Sequence, residues 1–366
     1  MFETILICIT LIYIAEMLYL RIGLGRADVT PQEESYQPVV SVIVAARNEE
    51  EYIGDCVRSL LCLEYPPEKL DIIVVNDSST DRTGDILEAF GPRPFLRILS
   101  TPQSKGNLHG KTNAIELGIK YARGEIIMLT DADCTVRPSW VARTVKYFGP
   151  STGIVGGFTL LTTGNLFERI QCLDWLYLFS VASATVGWDI PLSVIGNNFA
   201  VRRDAYLRTG GYENIPFSVT EDFALVQAVL RHSDFRIRFP LDPLCLVQSH
   251  PCRSLRHLYR QKQRWGVGGL DMVFRGVLIM AISWLIRFLM ILALIFTHFI
   301  AAALLALTII AFDLLLLWKP MRKFSALKKL LRSFLPFEVY LTLYVLTLPI
   351  IALASKSVVW KERRIG

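Results

Sequence analysis

The apolar run EIIMLTDADC, residues 125–134, ends in two acids, Asp131 and Asp133. Side chains alternate along a β-strand, so acids at positions i and i+2 leave the sheet on one side and can share one cation. Carboxylate oxygens suit Mg²⁺ and Mn²⁺, and such ions bind phosphates. Because a D-x-D also occurs by chance in loops, the metal-site interpretation depends on the sequence around it.

Short apolar runs alternate with helical stretches between residues 39 and 160. Near-continuous apolar strands separated by helices predict a parallel sheet buried on both faces, which is a doubly wound α/β domain. The runs are VVSVIVAA (39–46), LDIIVVN (70–76), LRIL (96–99), EIIMLT (125–130) and GIVGGFTL (153–160).

Polar residues directly follow three of the predicted strands. They are Arg47, Asn48 and Glu49 after the first strand, Asp77 after the second, and Asp131 with Asp133 after the fourth. Ligands of doubly wound sheets lie beyond the carboxyl ends of the strands. We therefore expect these side chains to form a ligand site at one edge of the sheet.

The composition indicates that part of the chain lies in a membrane. The 366 residues are 52% hydrophobic and have a mean hydropathy of +0.39, which is high for a wholly soluble enzyme. Residues 4–20 form an apolar run interrupted by Glu16. A secretory signal would begin with positive charge. This run instead starts after Glu3 and precedes Arg21 and Arg26, so we expect an uncleaved anchor whose following side is cytoplasmic.

Three further membrane segments are expected towards the C-terminus, which gives about four in total. Residues 276–318 are long enough for two spans of about 20 residues, and residues 335–354 offer a third. Arg287 would cost about 2.5–3.5 kcal/mol at a bilayer centre, which suggests that residues 270–287 lie along the interface. A basic cluster favours a cytoplasmic loop before the last segment. It comprises Lys319, Arg322, Lys323, Lys328, Lys329 and Arg332.

The cysteines and the net charge bear on compartment and partners. The seven cysteines are scattered and include no C-x-x-C pair, which argues for reduced thiols in a cytosol and against a zinc site. The net charge of +6 comes largely from basic residues that flank the membrane segments. We interpret it as attraction to anionic lipid and expect no nucleic-acid partner, because no basic patch is interleaved with a stacking platform.

Two helix starts allow a structural or a functional interpretation. Glu221 and Asp222 in VTEDF fall in the first turn of a predicted helix with Thr220 as a candidate cap, where acids are often only partners of the helix dipole. The functional alternative is a general base that deprotonates an acceptor hydroxyl. Lys111 begins another helix, where it could meet an anion, or it is a solvated surface lysine.

The sequence lacks the common nucleotide-binding loops. A P-loop needs four residues between its glycines, and three residues separate Gly106 from Gly110. No G-x-G-x-x-G opens a helix after the first strand either. A dinucleotide-dependent oxidoreductase is therefore disfavoured.

The basic stretch SLRHLYRQKQRW also has two interpretations. Arg256, Arg260 and Arg264 share one helical stripe, as in an interfacial helix whose arginines meet lipid headgroups. Alternatively, Gln261 and Arg264 reach a pyrophosphate while Trp265 stacks near an acceptor. One helix can do both.

Taken together, the motifs resemble those of membrane-integrated family 2 glycosyltransferases. The segments SVIVAARNEE, VVNDSSTD, GKTNA, DADC, GNNFAVRRDA, TED and Q-x-x-R-W occur in the order and approximate spacing of that family, over residues 39–268. The chain is similar to the branch that includes cellulose, hyaluronan and chitin synthases and ceramide glucosyltransferase. The resemblance implies a GT-A fold, an inverting transfer from a nucleotide sugar, and Mg²⁺ or Mn²⁺ as cofactor.

The resemblance also implies roles for individual residues. Asp222 is then the catalytic base, and Asp131 and Asp133 hold the metal. The residues implied at the nucleotide sugar are Glu49, Asp77, Lys111, Asp131, Gln261 and Arg264. The residues implied at the acceptor are Gly196, Asn197, Asn198, Glu221 and Trp265.

The expected organisation is an N-terminal anchor over residues 1–26, a cytoplasmic catalytic domain over residues 27–268, and a C-terminal membrane region over residues 269–366. We expect an integral protein of the plasma or inner membrane that moves a sugar from a UDP-sugar to a hydroxylated lipid and forms a β-glycosidic bond. A processive polysaccharide synthase is the alternative, although such enzymes usually carry more membrane helices. A non-catalytic membrane scaffold or nucleotide sensor is disfavoured because the D-x-D, T-E-D and Q-x-x-R-W motifs are all retained.

Overall fold

The computed structural model describes residues 2–32, 36–101, 108–192, 195–218, 220–269, 274–296, 298–354, 358–360 and 363–365. The chain divides into two compact units. The first, called here the sheet unit, comprises Asp28–Thr162 and Ser193–His250. The second, the helical unit, comprises Met1–Ala27, Thr163–Leu192 and Pro251–Gly366. The domain boundaries expected near residues 26 and 268 stay a prediction.

Strands and helices alternate through the sheet unit, and long helices make up most of the helical unit. The strands are β1 (Val40–Ala46), β2 (Leu70–Asn76), β3 (Leu96–Ser100), β4 (Ile126–Asp131), β5 (Thr135–Val136), β6 (Thr152–Gly156), β7 (Thr159–Leu161), β8 (Phe199–Arg202), β9 (Arg236–Arg238), β10 (Val247–Ser249), β11 (Val358–Trp360) and β12 (Arg363–Ile365). The α-helices are α1 (Phe2–Ala27), α2 (Ile53–Leu61), α3 (Thr83–Glu88), α4 (Lys111–Tyr121), α5 (Trp140–Thr144), α6 (Leu166–Gly187), α7 (Arg203–Arg208), α8 (Glu221–His232), α9 (Leu255–Gly268), α10 (Phe274–Ile295), α11 (Phe299–Lys323), α12 (Leu327–Leu330) and α13 (Phe334–Ala354). Short 3₁₀ turns lie at Pro67–Lys69, Val145–Tyr147, Pro243–Cys245 and Leu331–Ser333.

A seven-stranded sheet with the order β3-β2-β1-β4-β8-β6-β9 forms the centre of the sheet unit. β1 pairs in parallel with β2 and β4, and β2 pairs in parallel with β3. The register sets Ala46 beside Asn76 and Ala45 beside Asp131, so the carboxyl ends of these strands meet at one edge. The strands β1, β2 and β4 are buried almost throughout, as expected for a sheet covered on both faces. The α/β prediction is confirmed.

Two details differ from the expected run of parallel strands. β8 runs antiparallel to both β4 and β6. The run GIVGGFTL forms two strands, because β6 stays in the large sheet while β7 joins a smaller sheet with the order β5-β10-β7. Gly157 lies between β6 and β7, and a Cβ added there would lie 2.5 Å from Nδ2 of Asn198. The chain needs a glycine where it leaves one sheet for the other.

In the helical unit, four of the described helices are long and apolar enough to cross a membrane. The candidate spans are Glu3–Ala27, Phe274–Ile295, Phe299–Lys323 and Lys328–Ile351. One lies near the N-terminus and three lie towards the C-terminus, in agreement with the sequence prediction.

α6 is a further long helix of the helical unit and packs closely on α1. It begins with a capping box in which the Asn165 side chain accepts from the N–H of Glu168, and the Glu168 carboxylate reaches back to the start of the helix. A Cβ added to Gly187 would lie 1.9 Å from the carbonyl oxygen of Gly23. Glycine at position 187 therefore permits the close approach of the two helices.

Arg287 is fully buried in the middle of α10. Its guanidinium lies 2.5 Å from the carboxylate of Asp313 in α11. The hydroxyls of Tyr13 and Tyr177 donate to the same carboxylate at 2.7 and 3.1 Å. A paired and hydrogen-bonded charge is tolerated inside a bundle of apolar helices. Arg287 therefore gives no reason to place residues 270–287 at the membrane interface.

Candidate functional site

The acids of the D-x-D lie at the carboxyl edge of the large sheet. Asp131 is the last residue of β4, and Asp133 follows in the next turn. The buried thiol of Cys56, in α2, lies 3.6 Å from the carbonyl oxygen of Asp131. Burial raises the pKa of this thiol, and the charges of Asp133, Asp131 and Glu49 raise it further. The charges of acids at the carboxyl ends of β1 and β4 thus act on one thiol.

Asp77 follows β2 at the same edge and is almost fully buried. Its Oδ1 accepts a hydrogen bond from Thr101 at 2.9 Å, and its backbone N–H donates to the carbonyl oxygen of Ala46 at 2.7 Å. Arg47 donates to the carbonyl oxygens of Asp77 and Ser78 at 2.6 and 3.0 Å. The loop after β2 is therefore well fixed, while the contact of Asp77 with a nucleotide stays a prediction.

Lys111 begins α4 and connects two carboxylates. Its Nζ lies 2.7 Å from Oδ1 of Asp131 and 2.7 Å from Oε1 of Glu221. Burial lowers the pKa of Lys111, but the charges and hydrogen bonds of the two carboxylates outweigh it and hold the pKa above its ordinary value. Since the side chain is only 23% exposed, Lys111 is not the solvated surface lysine of the alternative interpretation.

One cleft of the sheet unit brings together five of the residues that the sequence marks as functional. Its lining comprises Ile43, Ala45, Lys111, Ile115, Leu129, Thr130, Asp131, Gly196, Tyr212, Glu221 and Asp222. Sequence reasoning missed Tyr212. The available signal was weak: Tyr212 follows Gly210 and Gly211, which have φ angles of 78° and 74° and turn the chain before it.

Asp222 is partly buried and accepts two backbone hydrogen bonds. Its Oδ2 accepts from the N–H of Gly196 at 2.6 Å, and its Oδ1 accepts from the N–H of Phe223 at 2.8 Å. The pKa of Asp222 is raised to about 6, because desolvation and the charge of Glu221 raise it by more than Lys111 and the two N–H groups lower it. Such a carboxylate is mostly ionised at neutral pH and still basic enough to take a proton, as a general base requires.

The start of α8 involves Thr220 and Asp222. Thr220 occupies the N-cap position, but its side chain makes no hydrogen bond to the helix. The carboxylate of Asp222 instead binds a free N–H of the first turn, that of Phe223. Thr220 thus occupies the cap position that the sequence indicated, without a side-chain hydrogen bond to the helix, and Val219 of the same motif lies outside the described residues.

Asn197 and Asn198 are buried, and protein groups bind their side chains. Oδ1 of Asn197 accepts from Thr159 at 2.9 Å. Oδ1 of Asn198 accepts from the indole N–H of Trp140 at 3.0 Å, and its Nδ2 donates to the carbonyl oxygens of Phe158 and Cys245 at 2.8 and 2.9 Å. These bonds favour a supporting role for the two asparagines. Of the G-N-N segment, Gly196 alone lines the cleft, and acceptor binding by the segment stays a prediction.

The Q-x-x-R-W residues Gln261, Arg264 and Trp265 lie on α9, in the helical unit. The Trp265 ring lies 5.7 Å from that of Trp175 in α6. Oε1 of Gln261 is buried and has no hydrogen-bond partner among the described residues. The roles of these three residues at the diphosphate and the acceptor stay predictions.

Lys262, within the same motif, is a buried residue that sequence reasoning missed. It forms an ion pair with Asp174 of α6, and its Nζ lies 4.2 Å from the ring centre of Trp265 and 4.6 Å from that of Tyr344. Burial lowers the pKa of Lys262, although Asp174 partly opposes the shift. A usable signal was its position four residues after Leu258, on the buried stripe of α9.

The donor atoms at the D-x-D fit a hard divalent cation. Asp131 and Asp133 supply carboxylate oxygens, and the ammonium of Lys111 already binds one of these oxygens as a stand-in cation. Within the described ranges, no group of three or more His, Cys, Asp or Glu side chains is arranged to hold a metal ion. A cation here would therefore complete its shell with water or with oxygens of a bound ligand.

Family models match most of the chain. The model for glycosyl transferase family 2 matches residues 41–210, and that for glycosyl transferase family group 2 matches residues 126–355. The chain belongs to glycosyltransferase family 2. The prediction of family is thereby confirmed, and with it the general class of glycosyltransferase.

Curated relatives of this family 2 member cover part of its length. It is 31% identical over 252 residues to the probable glycosyltransferase YdaM of Bacillus subtilis. The aligned residues make up 65% of this chain and 57% of YdaM. It is 25% identical over 254 residues to the poly-beta-1,6-N-acetyl-D-glucosamine synthase of Staphylococcus epidermidis. This alignment covers 69% of this chain and 59% of the synthase. The chain thus spans less than two thirds of each relative.

A solved structure resembles the chain over nearly its whole length. The mannosyltransferase PcManGT from Pyrobaculum calidifontis, determined with GDP-Man and Mn²⁺, aligns over 97% of this chain and 100% of its own with a TM-score of 0.60 and 20% identity. At this identity the likeness shows the fold, and the predicted GT-A fold with apolar helices at both ends is confirmed.

Proposed function

We propose that the chain transfers a sugar from a UDP-sugar to the hydroxyl of a membrane lipid with inversion at the anomeric carbon. The observation that carries the proposal is the single cleft that contains Lys111, Asp131, Glu221 and Asp222. The cleft contains a cation, a candidate metal ligand and a candidate base at the carboxyl edge of the sheet, where doubly wound folds bind their ligands.

In this mechanism Asp222 acts as the general base. Its carboxylate takes the proton of the acceptor hydroxyl while that oxygen forms a bond to the anomeric carbon, and the bond from that carbon to the diphosphate breaks. The N–H groups of Gly196 and Phe223 fix the orientation of the carboxylate. Attack opposite the leaving group gives a β-linkage from an α-linked donor, and no covalent intermediate is needed.

The donor side is assigned to residues after β1, β2 and β4. Asp131 and Asp133 would hold Mg²⁺ or Mn²⁺, which when bound neutralises charge that develops on the leaving diphosphate. Lys111 lies beside Asp131 and can contribute a second positive charge. Glu49 and Asp77 are proposed to bind the rest of the nucleotide. The Mn²⁺ and GDP-Man in the PcManGT structure support a nucleotide sugar with a divalent cation, and UDP stays our choice of nucleotide.

The acceptor is proposed to come from the membrane. Four helices of the described chain can span a bilayer, so a lipid hydroxyl is the acceptor that the protein's surroundings supply. Because Arg21 and Arg26 follow the first span, we propose that the sheet unit lies in the cytosol, at a plasma or inner membrane. The similarity to a poly-beta-1,6-N-acetyl-D-glucosamine synthase favours one second candidate, a processive polysaccharide synthase.

Product analysis distinguishes the two candidates. Membranes that contain the full chain would be incubated with radiolabelled UDP-sugars, Mn²⁺ and native lipid extract, and Asp222→Asn membranes would measure background. A label that extracts into organic solvent and adds one hexose mass to a lipid supports the lipid acceptor. A label that stays with water-soluble or insoluble polymer overturns it in favour of the synthase. Incorporation equal to that of Asp222→Asn with every donor, including GDP-mannose, would overturn both.

A further inference from the structure

The ammonium of Lys111 occupies the position beside Asp131 where a cation is expected. Its Nζ lies 2.7 Å from Oδ1 of Asp131, a normal distance for a charge-assisted hydrogen bond. The side chains of Lys111 and Asp131 are 23% and 34% exposed, so water screens the pair only in part. A divalent cation that binds Asp131 must therefore first displace a fixed positive charge.

Glu221 gives Lys111 a second partner on the other side. Its Oε1 also lies 2.7 Å from Nζ, and its side chain is 15% exposed. If Lys111 moved away from Asp131, it would keep one counter-charge and remain in the cleft. The ion pair with Asp131 can therefore open without leaving the ammonium unpaired, which a single partner would not allow.

We propose that Lys111 is a positioning residue that makes divalent-cation binding at Asp131 depend on the diphosphate of the donor. Before the donor binds, Lys111 neutralises Asp131 and repels a second cation. The dianionic diphosphate then draws the ammonium away from Asp131 and frees the carboxylate for the metal. This inference rests on the proposed function, because it takes the ligand to be a nucleoside diphosphate.

The same helix offers a matched control for the charge of Lys111. Lys120 also lies in α4 and pairs with Glu213 at 2.7 Å, but both of these side chains are more than half exposed. Lys120→Met thus removes one lysine and one ion pair from α4 without touching the cleft. Any effect of Lys111→Met that Lys120→Met lacks then belongs to the position of Lys111.

The test measures Mn²⁺ binding to the full chain in detergent without nucleotide, by the electron paramagnetic resonance signal of free Mn²⁺. Lys111→Met should bind Mn²⁺ at least about tenfold more tightly than the parent and Lys120→Met, because no charge-assisted hydrogen bond has to be broken. Adding UDP should then tighten Mn²⁺ binding more in the parent than in Lys111→Met. Equal or weaker binding of Mn²⁺ by Lys111→Met would overturn the proposal.

Two more variants keep the result interpretable. Glu221→Gln leaves the charge of Lys111 but removes its second partner. Without nucleotide, this variant should bind Mn²⁺ no more tightly than the parent. A tenfold gain in Mn²⁺ affinity of Glu221→Gln would contradict the proposal, even if Lys111→Met failed to fold. Asp131→Asn should lose Mn²⁺ binding in the presence of UDP. If Asp131→Asn still binds Mn²⁺, the metal assignment in the proposed function fails. If Asp131→Asn loses Mn²⁺ binding but Lys111→Met gains no Mn²⁺ affinity, only the role of Lys111 is rejected.

Discussion

Replacing Asp222 by Asn tests the base directly. Asn keeps the shape of the side chain and can still accept one of the two hydrogen bonds from Gly196 and Phe223, but it cannot take a proton. A missing general base lowers turnover by about 10²–10⁴-fold. We expect Asp222→Asn to lose at least about 10² in kcat while it binds UDP nearly as well as the parent, because the role proposed for Asp222 belongs to the chemical step and not to donor binding.

The environment of Asp222 predicts how the parent enzyme responds to pH. With a pKa of about 6, roughly 90% of the Asp222 carboxyl is ionised at pH 7 and roughly 10% at pH 5. Because only the ionised form can take a proton, kcat/KM should fall about tenfold between pH 7 and pH 5. A carboxyl with an ordinary pKa near 3.9 would lose less than about 10% of its ionised form over this range. Glu221→Gln removes a neighbouring negative charge, so it should move the acid limb to lower pH.

The assay is transfer from radiolabelled UDP-sugar to the accepted lipid, with initial rates measured from pH 4.5 to 8.5. UDP binding is followed separately by calorimetry, so that loss of binding is not mistaken for loss of chemistry. Asp204→Asn is the matched control, because the Asp204 side chain is 55% exposed and forms a surface ion pair with Arg208 at 2.9 Å. This variant should keep parental rates and the parental acid limb.

Three results would refute the reasoning. Near-parental turnover of Asp222→Asn together with an inactive Glu221→Gln would show that the two acids have the opposite roles. Near-parental turnover of both variants would show that the T-E-D motif contains no general base. A parent rate that stays constant down to pH 4.5 would show that no carboxyl with a raised pKa takes part in the reaction.

Further predictions concern the metal, the orientation and the membrane helices. Asp133→Ala or excess EDTA should each abolish transfer because two carboxylates and a diphosphate need a shared cation, and full activity in either case would exclude the metal assignment. A cysteine introduced at the exposed Glu88, on a cysteine-free background, should react with an impermeant maleimide only after permeabilisation; reaction in intact cells would reverse the orientation. Asp313→Asn should lower the free energy of unfolding by about 3 kcal/mol, since Arg287 loses the nearer of two buried carboxylates and Glu338 lies farther away at 4.0 Å; an unchanged thermal midpoint in detergent would argue against that pair.

Local patterns were sufficient to predict the sheet edge. The strands β1, β2 and β4 are buried on both faces, so each appears in the sequence as a continuous apolar run, and the acid that ends a run marks the end of its strand. The positions of Asp77 and Asp131 follow from this rule alone. Hydropathy likewise located the four apolar helices, because a span needs about 20 apolar residues whatever its neighbours are.

Partners that are distant in sequence could not be predicted in this way. The pairing of Lys111 with Glu221 joins residues 111 and 221 of the chain, and nothing local to either residue identifies the other. Arg287 looked costly in lipid because its partner Asp313 lies on the next helix. Asn198 looked available to an acceptor because its partners, Trp140 among them, come from other parts of the fold. In each case the missing information is which polar groups the fold brings together.

The charge balance of the cleft gives a reason for the cation dependence that we propose. Asp131, Glu221 and Asp222 place three carboxyl groups around the single ammonium of Lys111, so a dianionic diphosphate would meet repulsion unless a cation came with it. The same charges act on the base, because Glu221 raises the pKa of Asp222 and Lys111 lowers it. If Lys111 turns towards the diphosphate, its influence on Asp222 weakens and the carboxylate becomes more basic once the donor is in place. One lysine would then link metal binding, donor binding and the strength of the base.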